Sequence, residues 1–379
     1  MKTRRLLFLL PVVVIAVCAY WWSSLAGTRH VKVIWRQTKA GTYFEEIMPC
    51  KQGIGILAST KNECSLYPKY SLCLLDPTGR ILATREVGPE DAFLLPAGAS
   101  RDRPLFCLIT KKDKRFVPLI VDMQKGRVYH PTLEGGRHVT PMPYLLPPNT
   151  PALCPSGKCL LLSGHDKRSG KTRHWHLIVD ALSGKVIREV ADTPKGRDSF
   201  YHYVWNDDCT LTWLDEETGL IRNEKKGVLS SACKGLFLNL PSGMRVKLSP
   251  DASTLAVFNA KATGKLDVAF YDTMTGKKTY QAHRKIGKSE IVHGVYWSPD
   301  SSKVCVGLES SSDSDDIFTR ELYVIGQDKA IRKISLRGWQ FFGYYGSMVW
   351  LQDSKHVACL LFSRKGEHRA LALFDVDRP

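Results

Sequence analysis

The stretches LSPDASTLAVF, residues 248–258, and WSPDSSKVCVGL, residues 297–308, repeat one phrase and decide the fold of this 379-residue chain. Each has an apolar residue, then a turn built around Ser-Pro-Asp, then a short apolar run. Such turn residues satisfy the backbone of a tight turn, and the flanking residues alternate as strands do, so the phrase predicts a β-hairpin. Three weaker copies are LCPSGKCLLLS at 153–163, WNDDCTLTWL at 205–214 and WLQDSKHVACLLF at 350–362.

A second phrase is an apolar strand that ends in an acid, followed by a turn that closes on glycine and a base. Its clear copies are LCLLDPTGR at 72–80, LIVDMQKGR at 119–127, LIVDALSGK at 177–185 and AFYDTMTGK at 269–277. Equivalent turns of the first phrase lie 44 residues apart from Asp207 to Asp251 and 53 apart from Asp300 to Asp353. A period of about 40–50 residues with four strands each is the sequence sign of propeller blades. We therefore predict an all-β fold, a β-propeller.

Counting the phrases gives seven blades. They cover about residues 43–88, 91–131, 144–191, 199–236, 243–285, 291–336 and 340–379. The last blade lacks a fourth strand, because the sequence stops at Pro379 directly after a third one. Residues 30–36, HVKVIWR, form a spare strand ahead of the first blade. We expect this N-terminal strand to complete the last blade, which closes the ring and removes exposed sheet edges.

The two turn phrases resemble those of TolB-type and WD-repeat-like propellers, and the resemblance covers roughly residues 43–379. It implies four antiparallel strands in each blade, with the first strand lining a central channel. The sequence differs from true WD repeats in lacking their Gly-His opening, and an apolar residue or tyrosine stands before the strand-ending Asp. The resemblance therefore implies the general architecture and leaves the polar network of WD repeats unsupported.

The N-terminus predicts a membrane segment. Residues 6–28 carry no charged side chain and follow a basic start, so residues 1–28 fit a signal-anchor or transmembrane helix, with the propeller over 29–379. The pair Ser24 and Ala26 also fits a cleavage site, so a removable signal peptide stays open. We expect a single-pass membrane protein with an extracytoplasmic propeller, or a secreted or periplasmic protein if the signal is cleaved.

The charge pattern favours a protein or peptide partner. The formal net charge is +17, and about +10 remains outside the first 40 residues. Charge in the predicted loops alternates in sign, from +3 over residues 166–173 to −4 over 309–316. A nucleic-acid binder needs a continuous basic track with interleaved aromatic residues, which this pattern does not provide. A patchy rim suits a partner of complementary charge, although solvated loop tips remain the default explanation of any one cluster.

The sequence carries no catalytic motif. A Gly-x-Ser-x-Gly elbow and a His-Glu-x-x-His pair are both absent. We therefore predict a membrane-tethered, non-catalytic scaffold in the cell envelope, with no cofactor. The alternative is a propeller enzyme or small-molecule sensor that uses the channel, in the manner of lactonases. Four residues near the starts of predicted first strands are candidates for a binding patch at the channel mouth: His202, Arg245, His293 and Tyr345. The alternative is that these residues line a water-filled channel and bind nothing else.

The eleven cysteines do not predict a disulfide framework. Four of them stand in short apolar runs and are expected in the core: Cys107, Cys159, Cys305 and Cys359. In an oxidising compartment Cys154 could bridge to Cys159, and Cys50 to Cys64. No Cys-x-x-Cys pair and no Cys/His zinc spacing is present, so no metal site is predicted. The paired His174 and His176 and the acidic run 309–316 are likewise read as solvated groups rather than metal ligands.

Overall fold

The structure is a computed structural model. It describes residues 31–36, 42–60, 68–87, 94–112, 115–133, 152–168, 171–190, 203–215, 218–241, 243–260, 263–288, 290–310, 318–326, 330–335, 339–342, 348–363 and 369–377. The predicted membrane segment 1–28 lies outside these ranges. Among the residues that are described, no helix has the length and apolar character needed to cross a membrane.

Seven antiparallel blades follow one another along the chain, after a first strand β1 (Val31–Arg36) that belongs to the last of them. Blade 1 contains β2 (Thr42–Cys50), β3 (Gly53–Thr60), β4 (Lys69–Leu75) and β5 (Ile81–Val87). Blade 2 contains β6 (Leu94–Ala99), β7 (Leu105–Lys112), β8 (Arg115–Asp122) and β9 (Arg127–Tyr129). Blade 3 contains β10 (Cys159–Arg168), β11 (Lys171–Asp180) and β12 (Val186–Glu189), and its innermost segment is held by a bridge from Leu153 to Leu160.

Blades 4 and 5 repeat the same order. Blade 4 contains β13 (Tyr203–Trp205), β14 (Leu211–Asp215), β15 (Leu220–Asn223) and β16 (Gly227–Ser230). A five-residue helix, α1 (Lys234–Leu238), follows it and buries none of its residues. Blade 5 contains β17 (Met244–Leu248), β18 (Thr254–Asn259), β19 (Lys265–Asp272) and β20 (Lys278–Lys285).

Blades 6 and 7 are joined into one hydrogen-bonded sheet. Blade 6 contains β21 (Glu290–Trp297), β22 (Lys303–Ser310), β23 (Phe318–Gly326) and β24 (Ile331–Ser335). Blade 7 contains β26 (Met348–Trp350), β27 (His356–Ser363) and β28 (Arg369–Asp375). The short strand β25 (Trp339–Phe342) pairs with β23 on one side and with β27 on the other, which the sequence did not predict.

The N-terminal strand closes the ring as predicted. β1 pairs antiparallel with β28, with Val31 opposite Phe374 and Val33 opposite Ala372. Val33 also packs on the blade 7 core. The seven-bladed fold and its closure by the first strand are therefore confirmed.

The apolar core lies between neighbouring blades. One buried cluster joins blade 1 to blade 7, with Ile54 and Ile56 packed among residues such as Leu360. Another joins blades 2, 3 and 4. The four cysteines predicted for the core are all buried, as is every other cysteine that the structure describes. Because each blade buries its two faces against different neighbours, the blades depend on one another for stability.

Candidate functional site

The first strand of each blade borders the central channel. First strands of different blades contact one another, as β2 does with β6 and β26, and β21 with β26. Fourth strands are more exposed: β5 exposes five of its seven side chains and β20 four of its eight. A charged side chain on a first strand can therefore reach water only through the channel or at its mouth.

Three first strands carry a β-bulge at their fourth residue. Glu45 is the fourth residue of β2 and is skipped between the pairs Phe44–Ala58 and Glu46–Leu57. His293, the fourth residue of β21, and Ala97, the fourth residue of β6, are skipped in the same way. A bulge leaves one residue out of the ladder and re-aims its side chain, and bulges concentrate beside functional sites. Blades 1, 2 and 6 therefore each leave the fourth residue of the first strand unpaired, and the residue there is acidic only in blade 1.

Two neighbouring carboxyl groups stand on blade 1. Glu45 is exposed and accepts a short hydrogen bond from Ser59 Oγ. Glu46 is partly buried and makes no hydrogen bond or ion pair with any residue that the structure describes. Loss of hydration raises the pKa of Glu46 well above its ordinary value, and the charge of Glu45 adds to the effect. A protonated Glu46 can donate a hydrogen bond as well as accept one.

Two basic residues stand on the first strand of blade 5. Val246 pairs with Val257 and packs in the core shared with blade 4, so Arg245 and Lys247 lie on the other face of β17. Arg245 is exposed, and Lys247 is partly buried. Loss of hydration lowers the pKa of Lys247 to about 7. Neither side chain has a hydrogen-bond partner among the described residues.

The predicted patch is therefore placed only in part. Arg245 is the second residue of the first strand of blade 5, and its role at the channel mouth stays a prediction. The backbone of His293 occupies the bulge in β21, and its side chain is not described. His202 and Tyr345 lie outside the described residues, so their role stays a prediction.

Sequence reasoning missed Glu45, Glu46 and Lys247. A signal was present, because the strand TYFEEIMPC places two adjacent acids in an otherwise apolar run, and MRVKL alternates base with apolar residue. Alternation alone does not say whether the polar face meets solvent outside the ring or inside the channel. Only the position of the strand within its blade decides that.

A closed ring of seven antiparallel blades, with acids on blade 1 and bases on blade 5 of its channel, defines the molecule as a seven-bladed β-propeller. No family model matches the sequence, and no curated protein matches it.

Solved structures do match at the level of the fold. A putative TolB from Agrobacterium tumefaciens matches with 13% identity and a TM-score of 0.41, over 77% of this chain and 94% of that one. A prolyl endopeptidase matches with 12% identity and a TM-score of 0.50, over 89% of this chain. The match spans 51% of the endopeptidase chain, about half its length. The strand topology confirms the predicted propeller fold, and both matches are likenesses of fold alone.

Proposed function

We propose that this propeller is a non-catalytic scaffold that binds a protein or peptide at the channel mouth. One observation supports it most directly: Glu46 and Lys247 are both partly desolvated and lack a partner among the described residues. Each group loses part of its charge for want of a counter-charge. A polypeptide segment that brings a basic group to blade 1 and an acidic group to blade 5 restores both charges. Binding such a segment is therefore favoured over binding a uniformly charged one.

The membrane tether is part of the same proposal. The charge-free run over residues 6–28 supports an anchor, and the basic residues Lys2, Arg4 and Arg5 ahead of it favour export of the propeller. Alkaline extraction of membranes from cells expressing the full chain is expected to leave it in the pellet. Release into the supernatant, together with an intact mass that lacks the first 26 or so residues, indicates a cleaved signal instead.

Peptide display against the purified full chain tests the binding site. Enriched peptides are expected to carry both a basic and an acidic residue. Lys247→Met and Glu46→Gln should each weaken binding by about tenfold, the effect of losing one charged contact of about 1.4 kcal/mol. Lys277→Met is the matched control, because Lys277 is exposed in the β19–β20 turn of the same blade, on the outer strands and away from β17. Peptides that bind Lys247→Met and Glu46→Gln as tightly as the wild type would refute this site.

A second candidate, a small-molecule enzyme or sensor in the channel, is favoured by the same lysine. An amine whose pKa is about 7 is suited to act as a base or a nucleophile. The fold likeness to a prolyl endopeptidase is compatible with catalysis, but a fold alone carries no reaction. Turnover of lactones or esters that disappears in Lys247→Met, or a coloured cofactor in the purified protein, distinguishes this candidate from the scaffold.

A further inference from the structure

Three cysteine thiols from two blades meet at the end of the ring where the first strands finish. The sulfur atoms of Cys154, Cys159 and Cys209 all lie within 4.8 Å of one another. All three residues are buried, with Cys154 fully so and Cys159 and Cys209 exposing 8% and 9% of their surface. We refer to these three residues as the thiol cluster.

The hairpin turn of blade 3 places two of the thiols. Cys154 and Cys159 stand at its two ends, and the amide of Cys154 donates to the carbonyl of Cys159 at 2.9 Å. The amide of Cys159 donates in turn to Cys154 Sγ at 3.2 Å. Because a turn of this kind sets its two ends side by side, the five-residue spacing brings both sulfurs to one place without a Cys-x-x-Cys motif.

The corresponding turn of blade 4 supplies the third thiol. Cys209 has a left-handed backbone, with φ at +58°, which directs its side chain at blade 3. Its sulfur lies 2.7 Å from Cys154 Sγ and 3.2 Å from Ser156 Oγ. Ser156 Oγ is also 3.3 Å from Cys154 Sγ, so one hydroxyl touches two of the sulfurs.

The surroundings favour negative charge on sulfur. The guanidinium of Arg188 donates to the carbonyl of Cys209 at 2.7 Å and is paired with Glu224. Hydrogen bonding by the thiol of Cys159, with help from Cys209 and Ser156, lowers the pKa of Cys154 to about 5. The pKa values of Cys159 and Cys209 are raised, because the first shares its proton with Cys154 and the second is desolvated.

We propose that the thiol cluster binds one thiophilic metal ion, Zn²⁺ or Cu⁺, through its three sulfur atoms. Sulfurs bound to one zinc ion lie about 2.3 Å from it, hence about 4 Å from one another. The present sulfur positions need only a side-chain adjustment of about 1 Å to reach that geometry. Thiolates select soft ions of this kind over Mg²⁺ or Ca²⁺.

Binding replaces sulfur–hydrogen bonds with sulfur–metal bonds. The displaced protons go to solvent, no electron is transferred, and affinity rises with pH. Structural zinc takes four ligands, so Zn²⁺ would add Ser156 Oγ or a water molecule to the three sulfurs. Cu⁺ is satisfied by soft sulfur ligands alone. The two ions therefore share one site and differ in whether Ser156 contributes.

The test uses the full chain purified in reductant and each metal alone, in competition with a coloured chelator. We expect one metal ion per chain for Zn²⁺ or Cu⁺. Cys209→Ser and Cys159→Ser should each weaken binding by at least tenfold, because even the loss of an outer partner of a metal ligand costs about 10–100-fold. Cys73→Ser is the matched control: Cys73 is buried in blade 1 beside the hydroxyl of Thr84 and should bind as the wild type does.

Thermal unfolding separates loss of the site from loss of the fold. The metal should raise the unfolding temperature of the wild type and of Cys73→Ser, but not that of Cys209→Ser, since only a bound ligand stabilises the folded state. The proposal is overturned if the wild type retains neither Zn²⁺ nor Cu⁺, or if Cys209→Ser binds the metal as tightly as the wild type does. Recovery of a Cys154–Cys209 disulfide that forms readily, with no metal bound after reduction, assigns the cluster to a covalent link between blades and overturns it as well.

Discussion

The hairpin turn of blade 3 and those of blades 5 and 6 share one backbone and differ in chemistry. In the cysteine turn, residues 154–159, the first amide donates to the last carbonyl at 2.9 Å. In the serine turns, residues 249–254 and 298–303, the same bond measures 2.9 and 2.8 Å. The fourth residue has a left-handed backbone in each, with φ values of +71° at Gly157, +59° at Ala252 and +61° at Ser301.

The side chains at the turn ends change while the backbone does not. Ser298 Oγ accepts from the amide of Lys303 at 2.9 Å and donates to Asp300 at 2.6 Å. Cys154 takes the first of these places in blade 3, and Ser156 takes the place of the aspartate. The backbone hydrogen bonds therefore hold the turn, and the side chains at its ends can differ in chemistry without changing its shape.

Contacts between blades also come from equivalent positions of successive turns. The amide of Asp251 in blade 5 donates to Ser301 Oγ of blade 6 at 3.2 Å, and the amide of Asp300 donates to Ser354 Oγ of blade 7 at 3.1 Å. Cys209 occupies the equivalent position in blade 4 and reaches the turn of blade 3. The comparison teaches that a link between blades becomes a cluster of thiols when hydroxyls are exchanged for sulfur at equivalent places.

Opening the ring should have the largest effect, because it should unfold the cysteine turn and the serine turns alike. Deletion of residues 28–38 removes β1, leaves the edge of β28 unpaired and uncovers apolar surface of blade 7. We expect the variant to unfold or aggregate, as measured by size-exclusion chromatography and thermal unfolding. Removal of residues 1–27 alone is the control and should leave the unfolding curve unchanged. A deletion variant that stays monomeric and melts like the control would contradict closure by β1.

Acid should destabilise the serine turns and leave the cysteine turn unaffected. Burial acts to raise the pKa of Asp300, but hydrogen bonds from Ser298 and Ser302 outweigh it, and the net pKa lies below the ordinary value of about 4. A carboxylate with a depressed pKa stabilises the fold above about pH 4, and this stabilisation is lost as the pH falls through the folded-state value. The cysteine turn has no carboxylate.

Hydrogen exchange followed by mass spectrometry measures how the protection of an amide in each turn changes with pH. The amide of Ser302, which donates to Asp300 at 3.0 Å, should lose protection as the pH falls below about 4, after correction for intrinsic rates. The amide of Cys159 should keep its protection over the same range. Equal losses at the two amides would show that the acid effect is global.

Single substitutions give the smallest effect. Asp300→Asn weakens the bonds that a charged carboxylate accepts from Ser298 and Ser302 and should lower the free energy of unfolding by about 1–2 kcal/mol. Ser156→Ala, at the matching place in blade 3, should cost less than about 1 kcal/mol. Denaturant unfolding of both variants checks the ranking. A larger loss for Ser156→Ala would mean that the cysteine turn depends on its side chains after all.

The fold was predictable because its signals are local and repeated. The Ser-Pro-Asp turn and the apolar strand that ends in Asp each describe a hairpin, and repetition of both counts the blades. The closing strand HVKVIWR was predictable because it lies ahead of the first blade, and only three strands were predicted for the last blade. The extra strand β25 was not, because the residues WQFF at 339–342 carry no pattern that says they join two sheets.

The sites were harder to predict because they combine residues from different blades. Arg245 was named from its place near a strand start, but Lys247, two residues on, was missed because its desolvation depends on the closed ring. Cys154 and Cys159 were considered only as a pair. Cys209 is 50 residues beyond Cys159, and nothing in that spacing shows that its turn faces theirs. The equivalence of successive turns was the signal that could have found it.

Transplanting the cluster tests most directly whether equivalent turns present equivalent places. Ser249→Cys, Asp251→Ser, Thr254→Cys and Ser301→Cys together give blades 5 and 6 the side chains of blades 3 and 4, and the same variant without Ser301→Cys is the control. Metal per chain, measured at saturation under reductant, should rise from one ion to two in the full transplant and stay at one in the control. A folded transplant that still holds a single ion would contradict the account.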